Sequence, residues 1–378
     1  MDFTKLDKFI DDMPKRGIPM CDLAVSYKGE VVYRHSSGHS DAALTKPTSK
    51  DDIYWIFSNT KVMTCIAAMR LVEEGKIALD DKLSKYIPEF ERMFVKNQDG
   101  SISPAKNDIT LLHLFTMTAG LDYNLSSASV KAAREAGGST LDVVRAMAKM
   151  PLWFEPGTHY RYSLCHDVLA AVVEVASGMR FSDYAQKYIF DPLGMKDTGF
   201  RPTEEQKARM SAMYTYHGGV NKAISAECNN VYALTADYDS GGAGLFSTVD
   251  DYLKLMTAIA LGGTTKDGYH LLSRETVALM EKNYLCDDAR KDFSTTRNAG
   301  YGWGLCGRVH VDPTVSLSRS SVGEFGWDGA AGALNMMDPE KQVGLYMGTQ
   351  VKGCNYIYHR IHPEIINMVY EALDENLN

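Results

Sequence analysis

The chain has 378 residues, of which 45% are hydrophobic and 23% are charged, and its formal net charge is −8. This length and composition are typical of a globular protein with a sizeable hydrophobic core. The acidic balance, with no block of consecutive Lys and Arg residues, argues against nucleic acid as a partner.

The beginning of the chain resembles neither a signal peptide nor a membrane anchor. Residues 1–17 alternate charged and apolar side chains and lack a continuous apolar core followed by a small-residue cleavage site. No stretch approaches the roughly eighteen apolar residues needed to span a bilayer. The seven cysteines are scattered, without a Cys-x-x-Cys pair, which favours free thiols in a reducing compartment. We therefore expect a cytoplasmic protein without membrane insertion, and the oligomeric state stays open.

The first predicted elements are a hairpin and a helix. Two β-prone runs between Cys21 and Gly38 meet at Lys28-Gly29, a dipeptide that suits a hairpin turn. Between Lys61 and Glu74 apolar residues recur every three or four positions, and Gly75 follows where a C-cap glycine belongs. The pattern predicts an amphipathic helix of about fourteen residues.

Helical spacing continues in the middle of the chain, and strands return towards the end. Four segments have helical periodicity and are bounded by Gly, Pro or capping residues: 78–90, 108–121, 140–150 and 166–178. Residues 241–263 predict a strand and then a helix, and residues 362–376 predict a closing helix. Three segments predict successive strands: 300–311, 323–338 and 341–350. Strands at both ends with helices between them predict an α+β fold. We expect one unit over residues 1–378, with an α/β subdomain (1–76 plus 195–378) and a helical subdomain (77–194).

A serine lies three residues before a lysine at the start of the first long helix, in Ser58-Asn59-Thr60-Lys61. Positions i and i+3 share a helix face, so the amine would lie near the hydroxyl. Unpaired N–H groups and a positive dipole at a helix N-terminus favour a developing oxyanion. A serine hydroxyl needs both a base and an oxyanion site to act as a nucleophile. The pattern alone is not specific, because Ser103-Pro104-Ala105-Lys106 repeats it in a polar loop and Ser58 could equally be a helix N-cap.

Five segments supply the wider context of Ser58. They are FSNTKVMTCIAAMRLVEEGKIALDDKLSKYIPEF, ITLLHLFTMTAGLDY, FEPGTHYRYSLCHDVLAAVVEVASG, IFDPLGMKDTGF and GGAGLFSTVDDYLKL. In this order they resemble the serine β-lactamase-like superfamily, with its class C β-lactamase and penicillin-binding protein fold. Within it they are most similar to the family VIII carboxylesterases and related transesterases. The resemblance extends from about Asp22 to Thr349. It implies an antiparallel sheet flanked by helices, with a mostly helical inserted subdomain and no cofactor or metal.

The resemblance assigns roles to three side chains. Ser58 would be the acylated nucleophile and Lys61 its base partner. The Tyr-x-Asn element of the family falls on Tyr162-Ser163-Leu164, which makes Tyr162 the catalytic tyrosine. Tyr160 is the competing candidate, but it occupies the place of a packing aromatic in the family.

The resemblance also implies the oxyanion hole and the substrate pocket. Trp327-Asp328-Gly329 takes the place of the Lys-Thr-Gly element of β-lactamases, as in the esterases with a Trp-Gly-Gly variant. The oxyanion hole would be formed by the backbone N–H groups of Ser58 and Ala330. The expected pocket residues are Trp327, Asp328, Gly329, Leu164 and Tyr123.

Departures from the family pattern bear on the substrate. Leu164 replaces an Asn that would bind a peptide-like substrate, and Trp327 replaces a Lys that would bind a carboxylate. Asp328 adds a negative charge that would disfavour anionic ligands unless it faces solvent. These changes favour neutral carboxylic esters, cleaved through an acyl-enzyme, as small-molecule substrates. The alternatives are β-lactam or D-amino-acid peptide (amide) hydrolysis on the same machinery, and a non-catalytic binding protein on the same fold.

Overall fold

The computed structural model describes residues 1–217 and 222–374. The strands are β1 (Met20–Tyr27), β2 (Glu30–Gly38), β3 (Tyr54–Trp55), β4 (Phe94–Lys96), β5 (Ile102–Pro104), β6 (Met213–His217), β7 (Lys222–Ala226), β8 (Phe246–Ser247), β9 (Tyr301–Trp303), β10 (Arg308–His310), β11 (Phe325–Gly326), β12 (Leu334–Asp338), β13 (Val343–Gly348) and β14 (Val351–Lys352). The helices are α1 (Thr4–Asp11), α2 (Thr60–Glu73), α3 (Leu111–Phe115), α4 (Ala128–Glu135), α5 (Thr140–Met147), α6 (Cys165–Ser177), α7 (Phe181–Ala185), α8 (Asp191–Leu193), α9 (Glu204–Ala208), α10 (Val249–Ala260), α11 (Arg274–Met280), α12 (Asp287–Phe293), α13 (Pro313–Ser316) and α14 (His362–Asp374).

A seven-stranded antiparallel sheet forms the centre of the fold, in the order β2-β1-β13-β12-β11-β10-β9. Its strands come from both ends of the chain, which confirms the predicted α+β class. The β1–β2 hairpin turns at Lys28 (φ 50°) and Gly29 (φ 79°). Two consecutive residues with positive φ match the right-handed twist of the flanking strands, as predicted from this dipeptide. Helix α10 packs on β1, β12 and β13, and α1 packs on β2 and α14.

Helix α2 has the predicted position and length but not the predicted amphipathic character. It contains 14 residues and ends before Gly75, which has φ 67°. Every residue from Thr60 to Met69 is buried, because α2 packs against α6 and lies at the centre of the molecule. A helix that is buried on all sides needs no polar face. The polar residues of its first turn are therefore buried with the rest.

The segment between α2 and α8 is less helical than its periodicity predicted. Residues 78–90 contain only two short 3₁₀ turns, Leu83–Lys85 and Pro88–Phe90. Pro88 lacks the N–H that a continuing helix requires, and the Asp81 carboxylate accepts a hydrogen bond from the Ala78 N–H. The same region contains the β4–β5 hairpin, which had no sequence signal. The predicted helices within 108–121, 140–150 and 166–178 are present as α3, α5 and α6.

The predicted strands and helices of the last third are present as well. Residues 241–263 contain β8 and α10, and residues 300–350 contain β9 to β13. Residues 375 and 376 of the predicted closing helix lie outside the described residues. Within residues 1–217 and 222–374, no helix is long and apolar enough to cross a membrane.

Candidate active site

Ser58 lies in a 3₁₀ turn, Phe57–Asn59, between β3 and α2. The preceding Phe57 has φ 47°, a backbone conformation that bulky residues rarely adopt. Ser58 is 8% exposed, and its hydroxyl makes no capping bond to α2. The N-cap alternative is therefore wrong: Asn59 occupies the N-cap position, and Ser58 Oγ instead accepts a hydrogen bond from Lys61 Nζ at 3.3 Å.

Lys61 is almost completely buried, with 1% of its surface exposed. Its Nζ donates to the Gly242 carbonyl at 2.6 Å and lies 3.3 Å from both Ser58 Oγ and Tyr123 Oη. These three hydrogen-bond partners satisfy the polar end of the side chain, which offsets the cost of burying it. The i, i+3 spacing predicted the contact with Ser58. Sequence patterns do not reveal a backbone carbonyl such as that of Gly242.

Two tyrosines stack beside this lysine. The rings of Tyr123 and Tyr162 are 5.7 Å apart, and Lys61 Nζ lies 4.7 Å from the Tyr162 ring centroid. Tyr162 Oη accepts a hydrogen bond from Trp327 Nε1 at 3.1 Å. Within the described residues, no hydrogen bond joins Tyr162 to Ser58 or Lys61. Burial, then the neighbouring Tyr162 and further acidic groups, raises the pKa of Tyr123 well above its usual value.

The Trp-Asp-Gly element follows β11, at the point where the chain turns towards β12. A Cβ on Gly329 would lie 2.5 Å from the Ile56 carbonyl oxygen, so only glycine permits this approach. The contact brings Ala330 to the wall of a cavity of about 340 Å³ that Ser58 also lines. In the described part of the chain, neither the Ser58 N–H nor the Ala330 N–H donates a hydrogen bond. Two free amides at one cavity beside a serine have the composition of an oxyanion hole.

The expected pocket residues are only partly brought together. Trp327, Asp328 and Gly329 line the cavity with Ser58 and Tyr162. Two others do not. Leu164, 2% exposed, packs into the hydrophobic core, because its position just before α6 turns the side chain inward. Tyr123 reaches the site through Lys61 and not through the cavity wall.

Asp328 is surrounded by cations, so the alternative that it faces solvent is wrong. It is 6% exposed and forms ion pairs with Arg297 and with Arg308, whose Nη1 lies 3.2 Å from Oδ1. Its charge is therefore compensated and does not face solvent. The sequence did not show these ion pairs because they form only in the tertiary structure. Arg297 follows α12, Arg308 lies in β10, and neither is near the Trp-Asp-Gly motif in sequence.

Arg297 supplies a cation beside the Trp-Asp-Gly motif, which itself lacks the lysine of the Lys-Thr-Gly element. Its guanidinium lies 5.5 Å from the Trp327 ring centroid, and the side chain lines the Ser58 cavity. Burial and the nearby Arg308 lower the pKa of Arg297 to about 10, which leaves it charged at neutral pH. Sequence reasoning missed Arg297, since no local pattern marks it. Among the described residues, no group of three or more His, Cys, Asp or Glu side chains could hold a metal ion.

Comparison with known proteins identifies the family of the chain. The family described as Beta-lactamase matches residues 6–354 of the chain. The chain belongs to the β-lactamase family. The resemblance inferred from the five sequence segments is thereby confirmed.

Several known proteins are similar to this chain. Esterase EstB of Burkholderia gladioli is 30% identical over 361 residues, which cover 87% of this chain and 85% of EstB. The structure of EstCE1, described as a hydrolase with promiscuous acyltransferase activity, aligns with a TM-score of 0.81 at 26% identity and covers 97% of this chain and 98% of EstCE1. Simvastatin synthase LovD of Aspergillus terreus, at 21% identity, shares the fold with a TM-score of 0.83 over 98% of this chain and 99% of LovD.

Proposed function

We propose that this protein is a serine hydrolase that cleaves carboxylic esters through an acyl-enzyme on Ser58. The observation that carries the proposal is the contact between Ser58 Oγ and the buried Lys61 Nζ, at a cavity that two free backbone amides also reach. A positioned cation lowers the energy of the alkoxide, and the amides stabilise the oxyanion that follows. The similarity to EstB and EstCE1 supports ester substrates.

The reaction has two halves that use the same groups. Ser58 Oγ forms a bond to the ester carbonyl carbon while its proton passes to the Tyr162–Lys61 pair, and the amides of Ser58 and Ala330 hold the oxyanion. The carbon–oxygen bond to the alcohol then breaks, and the alcohol leaves with that proton. Water then attacks the acyl carbonyl carbon, the bond to Ser58 Oγ breaks, Ser58 regains a proton and the acid is released. A second alcohol in place of water would give acyl transfer through the same steps.

Trapping of the acyl-enzyme tests this proposal. The protein is incubated with a fluorophosphonate or a short-chain p-nitrophenyl ester, its intact mass is measured, and the adduct is mapped by peptide sequencing. We expect one adduct per chain, on Ser58. An unmodified protein that still binds the ester would favour a non-catalytic binding protein, and an adduct elsewhere would reject the assignment of Ser58.

A second candidate is hydrolysis of substrates that carry a carboxylate, such as β-lactams or D-amino-acid peptides. Arg297 favours it, because this cation lies at the cavity wall beside Trp327, where the sequence suggested that no cation was available. A second cavity of about 620 Å³ shares Arg297, Asp328 and Tyr358 with the first and also contains Arg360. A carboxylate could therefore be stabilised close to the reacting serine.

Replacing Arg297 by methionine separates the two candidates. Two p-nitrophenyl esters of equal chain length are compared, one ending in a methyl group and one in a carboxylate. If Arg297 binds the carboxylate, R297M lowers kcat/KM for the charged ester about 10- to 100-fold and changes the neutral ester less than about threefold. The exposed Arg290 on α12 provides the matched control, R290M. Equal losses for both esters would show that Arg297 only supports the structure around Asp328.

A further inference from the structure

A buried carboxylate, one oxygen of which accepts no hydrogen bond, lies behind the Ser58–Lys61 pair. Asp167, in the first turn of α6, is 1% exposed. Its Oδ1 accepts hydrogen bonds from Tyr238 Oη and Ser240 Oγ, each at 2.7 Å. Its Oδ2 is buried and has no hydrogen-bond partner among the described residues. An unpaired buried carboxylate oxygen is costly, so a nearby positive charge is needed to compensate it.

The nearest candidate cation is Lys61, on the other side of Gly242. A Cβ on Gly242 would lie 2.3 Å from Asp167 Oδ2 and 3.3 Å from Lys61 Nζ. A side chain at this position would therefore collide with the carboxylate and crowd the amine. Because residue 242 is glycine, the carboxylate and the amine face each other across a gap without side-chain atoms. Opposite charges in this arrangement attract each other, although the two side chains make no direct ion pair.

The hydrogen bonds of Lys61 are compatible with two protonation states, and Asp167 distinguishes them. The Gly242 carbonyl can only accept, whereas Ser58 Oγ and Tyr123 Oη could accept from an ammonium or donate to a neutral amine. A nearby negative charge favours the ammonium. The other titratable groups that contact Lys61 or interact with its charge are Tyr123, Tyr162 and Cys165. Burial raises the pKa of Tyr123 and of Cys165, so neither carries a charge at neutral pH.

We propose that Asp167 is a positioning residue of the acyl-enzyme site. Its free Oδ2 holds Lys61 in the ammonium form. Its Oδ1 accepts hydrogen bonds from Tyr238 and Ser240 and so fixes the loop whose Gly242 carbonyl accepts a hydrogen bond from Lys61. The inference rests on the proposed hydrolase function and assigns separate proton-transfer roles to Lys61 and Tyr162. The ammonium cannot accept the proton of Ser58, so this proton passes to Tyr162. Tyr162 accepts it as a phenolate, after its own phenolic proton has passed to solvent, and the Lys61 ammonium stabilises this phenolate.

The pH dependence of an Asp167→Asn variant tests the electrostatic role. Asparagine keeps the size of the side chain and an oxygen for Tyr238 and Ser240, but it removes the charge. Loss of a negative charge lowers the pKa of every titrating neighbour. Both limbs of the kcat/KM profile for a p-nitrophenyl ester should therefore move to lower pH by about one unit or more. A purely structural role would lower kcat without moving the limbs.

Two further variants make the readout specific. Asp122→Asn removes a partly exposed carboxylate next to Tyr123 that accepts from Trp153 Nε1, and its profile should stay in place. Ser240→Ala removes one bond to Oδ1 and keeps the charge, so kcat should fall without a shift of either limb. An unshifted profile for Asp167→Asn would overturn the proposal, whereas ester hydrolysis that does not depend on Ser58 would overturn the proposed acyl-enzyme mechanism itself.

A measurement on the unaltered protein covers the case in which Asp167→Asn does not fold. Isotope-labelled lysine gives an NMR signal for Lys61 Nζ, which is assigned by its disappearance in Lys61→Arg. We expect the chemical shift of an ammonium at neutral pH. The shift of a neutral amine would overturn the role of Asp167 whether or not the protein hydrolyses esters.

Discussion

Replacing Ser58 by alanine is expected to lower kcat for a p-nitrophenyl ester at least about 10⁴-fold, with the fold intact. The hydroxyl is the only group in the proposed mechanism that forms a bond to the substrate. Its loss removes the acyl-enzyme and leaves only the weaker contribution of binding and the oxyanion amides. The fold should persist because Ser58 Oγ makes no capping bond to α2. The measurement is steady-state kinetics together with a thermal unfolding curve of each protein.

The chain itself contains the control for this experiment. Ser103 begins a second Ser-x-x-Lys pattern, but it lies in β5, and its Oγ donates to the Asn97 side chain at 3.3 Å. Lys106, at the end of the same pattern, is exposed. Ser103→Ala should keep kcat within about twofold of the wild type. If Ser58→Ala retained more than about one hundredth of the wild-type kcat, the acyl-enzyme mechanism on Ser58 would be wrong.

Replacing Tyr162 by phenylalanine should lower kcat about 10²- to 10⁴-fold with little change in KM. The hydroxyl lies at the same cavity as Ser58, and its bond to Trp327 Nε1 fixes its direction. Phenylalanine keeps the stacking on Tyr123 and under Lys61 but cannot carry a proton. Single-turnover kinetics would show whether acylation, deacylation or both become slow.

Two neighbouring tyrosines provide matched Tyr→Phe controls. Tyr160 packs its ring on Phe293 and Trp303, with centroids 5.0 and 5.3 Å away, so Tyr160→Phe should change kcat less than about threefold. Tyr123→Phe should have an intermediate effect, because it removes one of the three hydrogen-bond partners of Lys61. A larger loss in Tyr123→Phe than in Tyr162→Phe would make Tyr123 the proton carrier.

The parts of the fold that were predictable depend on local physics. The Lys28-Gly29 turn and the end of α2 before Gly75 each follow from backbone preferences of a few adjacent residues. The closing helix does not begin at its proline as predicted, because a π-helical turn over Ile357–Ile361 leads directly into α14. The segment 78–90 shows the limit of periodicity, because a proline and an aspartate side chain outweigh the spacing of its apolar residues. The complete burial of α2 was not visible either, since burial depends on what packs against a helix and not on the helix alone.

The candidate site also has a part that local sequence determines and a part that depends on tertiary packing. The sequence by itself determined the pair of Ser58 and Lys61, because one helical turn sets their separation, and the ordered motifs identified the β-lactamase family. Only the tertiary structure decided what surrounds Lys61 and the substrate cavity: the Gly242 carbonyl, the free oxygen of Asp167 and the Arg297 guanidinium. These groups come from loops and helices far apart in the chain. Their positions follow from how α2, α6 and the sheet pack together, and packing of distant elements leaves no periodic pattern in the sequence.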